Sequence, residues 1–311
     1  MKICVLGAGS LGSTFGAALA LDGNEVHLVA RPAHVKAMNE NGLTMVTPDG
    51  EVNAQVFGHE TPDGIGVCDL VIVLCKAFDT KKTMSEALEL VGPDTVVMSL
   101  QNGLGNEDFL AEIVGVQHVL GGKTYVGGMM LEPGRVKGTI PGKDTVIGEL
   151  DGSVSPRALK IAETFESAGI HTIVSDNIMG VIWDKLLVNV STGAVCAITG
   201  LPYGHIYQML EIREVALAAV QEGMDVAAAA GVALKFDTPE ESWELAREGL
   251  SFDFKPSLLQ SLEKNRPTEV DVIAGAVVRE GKKYGVPTPV NATLAAMVKG
   301  RERYIQAYVL K

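Results

Sequence analysis

Three features of the sequence predict an α/β N-terminal domain built on a mainly parallel, doubly wound sheet, followed by an all-α C-terminal domain. Apolar strand-like runs alternate with helical segments through the first half of the chain. That alternation stops after Asn177, where the pattern becomes almost entirely helical. A glycine-rich turn closes the first apolar run. Strands separated by helical crossovers pair in parallel and are covered on both faces, so they read as near-continuous apolar runs. The change of pattern sets the domain boundary near residue 176, giving domains of residues 1–176 and 177–311.

In order, MKICVLGA reads as a buried strand, SLGSTFGAALALDG as a helix and NEVHLVA as a second strand. CDLVIVLC is a further strand, followed by a helix through TKKTMSEALELVG and a strand at TVVMSL. After VLGGKTYVGG the chain is Gly-rich and extended as far as DTVIGEL, consistent with a further strand pair. SPRALKIAETFESAG is an amphipathic helix, and IHTIVSD closes the domain. The helical half is broken at 200–204, 237–240, around 255–256 and at 285–289, and its alanine-rich MDVAAAAGVAL reads as a packed helix.

Composition narrows the function classes. Of 311 residues 47% are apolar and 21% charged, as in an ordinary soluble globular protein. A formal net charge of −12 argues against a nucleic-acid or anionic membrane partner. Any phosphate-bearing ligand must therefore meet a local cluster of positive charge. Cys4, Cys68, Cys75 and Cys196 are scattered through apolar runs, which suits a reducing cytoplasm and carries no disulfide signal. The six histidines show no metal-ligand spacing, so no metal is expected. Residues 1–6 already read as a strand leading into a glycine turn, so no signal peptide is expected. No uninterrupted apolar run approaches the roughly 18 residues of a membrane span.

Gly7-Ala8-Gly9-Ser10-Leu11-Gly12 is a G-x-G-x-x-G turn between a strand and a helix, the dinucleotide-binding arrangement of a Rossmann domain. Its glycines permit a tight turn and close approach to a pyrophosphate, which meets the N–H groups of the helix start. A glycine turn without a ligand is the alternative. An NAD site usually carries an acid at the end of the second strand, to bond the ribose 2′-hydroxyl. Here EVHLVA runs into Arg31, whose guanidinium can grip a 2′-phosphate, favouring NADPH and NADP+. A solvated surface arginine is the alternative. Lys76, after CDLVIVLC, is a candidate second phosphate contact or a solvent lysine on a loop. QNGLGN follows TVVMSL at the same sheet edge; Asn102 within it is a candidate ligand residue or part of a simple Asn-Gly turn.

VIWDKLLVNVS, residues 181–191, is apolar with a lysine in its middle. On a helical wheel of about 100° per residue, Asp184 and Ser191 share an outward strip. Lys185 faces the opposite side, level with Asn189 and flanked by Val181 and Ile182. Burial lowers a lysine pKa, and such a lysine is a competent general acid for reducing a ketone. Snorkelling, or pairing with an acid such as Glu269, is the alternative. NRPTEVDVIAGAVVREGKKYGVPTP predicts a helix starting near Pro267, with Val270, Ile273, Ala274 and Val277 as its apolar stripe. Asp271 and Arg279 point away, and Glu269 lies on the border. A first-turn glutamate also suits the helix dipole with no further role.

GAGSLGS, Arg31, VLCKAF, QNGLGN, WDKLLVNVS, PSLLQSLEKNRPTEVD and GVPTPVN, in that order over nearly the whole chain, resemble the ketopantoate reductase (2-dehydropantoate 2-reductase) family. The resemblance implies an NADPH-dependent oxidoreductase of pantothenate biosynthesis, with a Rossmann domain, a helical domain and the active site between them. It implies Lys185 as general acid, with Glu269 binding the substrate hydroxyl and orienting the lysine. Asn102 would bridge nicotinamide and substrate, Asn189 would bond the substrate and Ser257 would hold its carboxylate. Arg31 and Lys76 would contact the 2′-phosphate. The expected partner is a small 2-oxo acid, with a homodimer as an admissible assembly.

One position departs: the family helix often has a second asparagine where this chain has Gly193. Thr192 and Ser191 are the neighbours placed to compensate, although Ser191 faces outward on the wheel. Loss of a hydrogen-bonding group from a buried site shifts substrate preference, so another branched 2-oxo acid is the alternative substrate. A non-catalytic NADP-binding redox sensor is the alternative of a different class, and Lys185 together with Glu269 weighs against it.

Overall fold

The computed structural model describes residues 1–310, which fall into two compact units. One comprises Met1–Gln101 and Asn106–Ile178; the other comprises Asn102–Gly105 and the chain from Met179 onward.

The first unit runs β1 (Lys2–Leu6), α1 (Ser10–Leu21), β2 (Glu25–Val29), α2 (Pro32–Asn41), β3 (Leu43–Thr47), β4 (Gly50–Ala54), β5 (Phe57–His59), β6 (Leu70–Val73) and α3 (Thr80–Ser85). It continues through β7 (Val96–Ser99), α4 (Asn106–Val114), β8 (Val119–Thr124), β9 (Gly127–Glu132), β10 (Arg135–Thr139), β11 (Thr145–Glu149), α5 (Pro156–Ser167) and β12 (Thr172–Val174). Its main sheet has the order β12-β11-β8-β7-β6-β1-β2-β5, parallel from β5 to β8, with β11 antiparallel to β8.

Alternation along β1 shows why this sheet is buried on both faces. Ile3 and Val5 join Phe15 and Leu19 of α1 and Phe165 of α5 in one core. Cys4 and Leu6 point the other way, into a core with Val71, Val73, Met84 and Leu110. From β1 the chain winds outward to β2 and β5, then returns to build β6, β7 and β8 on the other side. The order therefore reverses between β1 and β6, and ligands of such sheets bind at the carboxyl ends of the strands at that point.

The structure departs from the sequence expectations in two places here. Only Thr80–Ser85 of TKKTMSEALELVG is α-helical, with 3₁₀ turns at Ala77–Asp79 and Leu88–Leu90. Met84, Ala87 and Leu90 are all fully buried. Their three-residue spacing fits a 3₁₀ repeat better than an α-helix. The Gly-rich stretch holds three strands, β9, β10 and β11, rather than one pair. Two of them, β9 and β10, form a second sheet of order β4-β3-β10-β9 with strands that precede the apolar run at β6.

That small sheet lies on α1. A Cβ on Gly128 would sit 2.5 Å from the Ser10 carbonyl oxygen, so only glycine lets the strand approach so closely. Met130 N–H donates to Ser10 Oγ at 3.0 Å. Buried His34 ties the assembly together: its Nδ1 accepts the Gly134 N–H at 2.8 Å, and its Nε2 lies 2.9 Å from Ser13 Oγ. The backbone donor fixes the proton of the neutral ring on Nε2. Desolvation holds its pKa below the ordinary histidine value.

The second unit contains α6 (Ile178–Thr199), α7 (Tyr203–Ile206), α8 (Leu210–Ala229), α9 (Pro239–Arg247), α10 (Ser257–Glu263), α11 (Ala274–Tyr284) and α12 (Pro289–Tyr304), with no strand among its described residues. By length and composition alone α6 could cross a bilayer, yet most of it is buried in the protein. Trp183, Leu186, Leu187 and Val190 are its core contacts. The alanine run at the end of α8 is packed only in part, with Ala227 buried and Ala228 exposed.

Two further expectations are corrected in this unit. Ser191 does not face outward: it is fully buried, and its Oγ donates to the Val188 carbonyl at 2.8 Å. That back-bond satisfies the hydroxyl inside the core, and every residue of α6 from Val190 to Ala197 is buried. The helix expected near Pro267 begins later, with a 3₁₀ turn at Val270–Val272 and α11 only from Ala274. The Val272 carbonyl accepts the Leu104 N–H at 2.9 Å, while Ala276 N–H bonds to Ile273. An outside donor thus holds the carbonyl that a continuous α-helix would use. Val270, Ile273, Ala274 and Val277 are nevertheless all buried.

Glu107, in the first turn of α4, is buried, and its Oε2 has no hydrogen-bond partner among the described residues. Desolvation pushes its pKa up to about 7 from an ordinary 4.5. The unfolded chain ionises first as pH rises, so this group costs stability progressively between those two values. Glu107→Gln should therefore melt at a higher temperature than the parent protein at pH 8 and close to it at pH 4.5. Melting curves at both pH values check this, and an equal difference at the two would refute it.

Candidate active site

The turn after β1 assigns a separate task to each of its three glycines. Gly7 has φ +93°, and a Cβ there would lie 2.4 Å from the Cys75 amide nitrogen. It lets the ends of β1 and β6 meet. A Cβ on Gly12 would lie 2.7 Å from the Gly7 carbonyl oxygen, so Gly12 lets α1 start hard against the turn. Gly9 precedes α1 and is exposed, and a Cβ there would meet nothing within 4 Å.

Ser13 N–H is the first to bond back, to the Gly9 carbonyl at 2.9 Å, so the donors of Ser10, Leu11 and Gly12 stand ahead of the helical ladder. With half-buried Leu11 and buried Ala8 beneath, the 7–12 turn offers backbone donors beside an open space. A dinucleotide pyrophosphate fits that arrangement.

Arg31 is exposed immediately after β2 and forms the N-cap of α2, which His34 anchors from within. Lys76 is exposed after β6, as the N-cap of the 3₁₀ turn. Both cations thus stand at the carboxyl ends of strands flanking β1. Gln101 is a residue the sequence reading passed over. Its Nε2 donates to the Cys75 carbonyl at 2.7 Å and to Thr80 Oγ1 at 2.9 Å, while its Oε1 accepts from Ser99 Oγ at 2.9 Å. It clasps the ends of β6 and β7 and holds the turn that carries Lys76. A polar side chain opening QNGLGN directly after a buried strand was the available signal.

Asn102, Lys185, Asn189, Ser257 and Glu269 all belong to the second unit. Residues 102–105 dock on the turn after Glu269: Gly103 has φ +93°, and a Cβ there would lie 2.4 Å from the Val272 carbonyl oxygen. The Arg279 guanidinium donates to the Leu104 carbonyl at 3.1 Å. Asn102 and Glu269 are therefore each fixed in the chain beside one shared contact.

Lys185, Asn189 and Gly193 are spaced i, i+4, i+8 on α6, one row along the helix. Lys185 and Asn189 are half-buried. Desolvation lowers the Lys185 ammonium pKa to about 8. Asp184, on another face, accepts the Lys235 N–H at 3.0 Å. The lower end of the row meets α10, where the nearest atom to a Cβ on Gly193 would be Leu258 Cδ2 at 3.7 Å. Ser257, next to that leucine, is exposed at the start of α10. Among the described residues no group of three or more His, Cys, Asp or Glu could hold a metal ion.

Comparison with known proteins covers both units. Residues 3–152 match the family model described as ketopantoate reductase PanE/ApbA, and residues 177–302 match its C-terminal counterpart. The 2-dehydropantoate 2-reductase of Archaeoglobus fulgidus is 35% identical over 97% of this chain and 98% of its own. That of Pyrococcus abyssi is 34% identical over 97% and 98%. Among solved structures, the PanE/ApbA family ketopantoate reductase from Ralstonia eutropha JMP134 aligns with a TM-score of 0.90 and 32% identity, covering 98% of this chain and 100% of that one. A D-mandelate dehydrogenase with NADH and anilino(oxo)acetate also aligns at 0.90, with 30% identity over 99% and 100%.

The glycine geometry separates folding from binding. Gly9→Ala should leave the melting temperature nearly unchanged, because the methyl meets no protein atom, yet weaken dinucleotide binding by crowding the pyrophosphate. Gly7→Ala should destabilise the fold itself. Melting curves and a fluorescence titration with NADPH check both, and unaltered NADPH affinity in Gly9→Ala would contradict the assignment.

Proposed function

The chain belongs to the ketopantoate reductase family, and on that premise we propose that it reduces 2-dehydropantoate to (R)-pantoate with NADPH. The observation that carries this reading is Lys185, a lysine with a desolvation-lowered pKa set on an apolar helix in a row with Asn189. The bound coenzyme supplies hydride to the substrate's keto carbon. Lys185 then donates the proton that the developing C2 alkoxide requires. With a pKa of about 8, about nine in ten molecules carry that proton at pH 7, and it leaves more readily than from an ordinary lysine.

Asn189 and Asn102 hydrogen-bond the substrate, Ser257 holds its carboxylate, and Glu269 accepts its hydroxyl and orients the lysine. Arg31 and Lys76 hold the 2′-phosphate of NADPH, the family's coenzyme. The net charge of −12 fits a small-molecule substrate better than nucleic acid. We place the reaction in the cytoplasm, within pantothenate biosynthesis, with a homodimer as the assembly to test. A second reading, reduction of a different 2-oxo acid, is favoured by Gly193 and by the likeness to D-mandelate dehydrogenase.

Lys185→Ala should lower kcat roughly 10²- to 10⁴-fold, with NADPH affinity by fluorescence titration largely retained. Reduction by the parent enzyme should fall about tenfold per pH unit above about 8, because the acid form of Lys185 is consumed there. Near-normal kcat in the variant, or a rate that stays level to pH 10, would assign the proton to another donor.

Arg31→Ala should weaken NADPH binding by roughly 10- to 100-fold, the worth of a charge-assisted contact, and leave NADH binding nearly unchanged. Equal losses for the two coenzymes would remove Arg31 from the phosphate site.

A further inference from the structure

Gly193 differs from four other buried helical glycines. A Cβ on Gly12, Gly16, Gly223 or Gly281 would lie 2.5 to 2.8 Å from protein atoms, so any side chain at those sites displaces a neighbour, and at Gly12 and Gly281 that neighbour is backbone. At Gly193 the nearest atoms would be Leu258 Cδ2 at 3.7 Å and Cδ1 at 4.0 Å, an ordinary contact. Its backbone lies outside the left-handed region as well. Glycine inside a helix is less stable than alanine, and neither packing nor backbone geometry calls for it here. The position is buried, yet an added methyl would touch one leucine. Gly193 and Leu258 therefore flank a gap.

The chemistry of that gap is apolar. It continues the row of Lys185 and Asn189 by one turn, and Leu258 follows Ser257. The hydroxyls beside Gly193 are engaged within the protein. Ser191 Oγ donates to the Val188 carbonyl, and Thr192 Oγ1 lies 2.7 Å from the Tyr203 hydroxyl. Neither compensates for a polar group missing at residue 193.

We infer that Gly193 and Leu258 form an apolar wall for the substrate's side chain, so that the enzyme also reduces branched and aryl 2-oxo acids that lack a hydroxyl. The inference rests on the proposed reduction at Lys185, which sets the reacting carbonyl in the same row.

The test compares kcat/KM with NADPH for 2-dehydropantoate, its deoxy analogue 3,3-dimethyl-2-oxobutanoate, and phenylglyoxylate. The parent enzyme should favour 2-dehydropantoate over the deoxy analogue by no more than about tenfold, whereas a site built to bond that hydroxyl would discriminate roughly 10⁴-fold or more. Gly193→Asn should widen the preference at least about tenfold, because its amide bonds the hydroxyl and is left unpaired by the analogue. Gly193→Ala, whose methyl fits the observed spacing, should selectively reduce turnover of phenylglyoxylate. Leu258→Ala should raise it relative to the smaller substrates.

A parent preference above 10³-fold would overturn the apolar wall and leave the reduction intact. So would an unchanged substrate ranking in both folded Gly193 variants. Absence of turnover on every 2-oxo acid would overturn the reduction and the wall together.

Discussion

Helix α6 must bury most of its circumference while carrying an ammonium group, and the proposed chemistry depends on how it does both. Trp183, Leu186, Leu187 and Val190 are each at most 2% exposed. Their burial, worth roughly 1.5–3 kcal/mol per large side chain, offsets the cost of bringing Lys185 out of water. Gly223 of α8 takes part directly, since a Cβ there would lie 2.5 Å from Leu187 Cδ2. Tight packing on one side of α6 thus supports the row that carries the Lys185 ammonium. Desolvation leaves Lys185 with a pKa of about 8 rather than 10.5, which is what a proton donor working near neutrality needs. A straight helix also separates residues 185 and 193 by about 12 Å, the span over which the proposed site would hold both the reacting carbonyl and the far end of a small substrate.

The first unit solves a different problem, that of presenting backbone donors to an open space without losing the fold. Gly7 and Gly12 are consumed by contacts with the protein's own backbone, and Gly9 faces open space. The sheet supplies the framework, because its order reverses between β1 and β6, and the 7–12 turn, Arg31 and Lys76 follow β1, β2 and β6 in turn. Gln101 and His34 have no charge to offer a ligand. Their work is to hold the segments that carry Lys76 and Arg31.

Legibility in the sequence followed burial. Strands β1, β6 and β7 are covered on both faces and stand out as apolar runs, and G-x-G-x-x-G between strand and helix points to its own ligand. The small sheet was hidden because β4 is exposed over four of its five residues, and β9 keeps only half-buried and exposed positions. Its place on α1 depends on the absence of a side chain at Gly128, which carries no periodic signal.

The late start of α11 was hidden for a related reason. Leu104 occupies the Val272 carbonyl from 168 positions away in sequence, and local propensity contains no trace of so distant a donor. Ser191 misled the helical wheel because a hydroxyl bonded within its own helix can be buried at little cost. The i, i+4 row of Lys185 and Asn189 on α6 was legible from spacing, whereas the individual roles proposed for Asn102, Ser257 and Glu269 came from the family resemblance. That a methyl on Gly193 would meet only Leu258 became visible once Leu258 was placed in space.

The central claim is that burial on α6 makes Lys185 an acid suited to neutral pH, and the most direct measurement is its own titration. With ε-¹³C-labelled lysine and Lys185→Arg to assign the resonance, NMR follows that single ammonium from pH 6 to 12. A midpoint near 8 is the predicted result. A midpoint at or above the ordinary value of 10.5 would show that the ammonium is solvated or firmly paired, and would contradict the account.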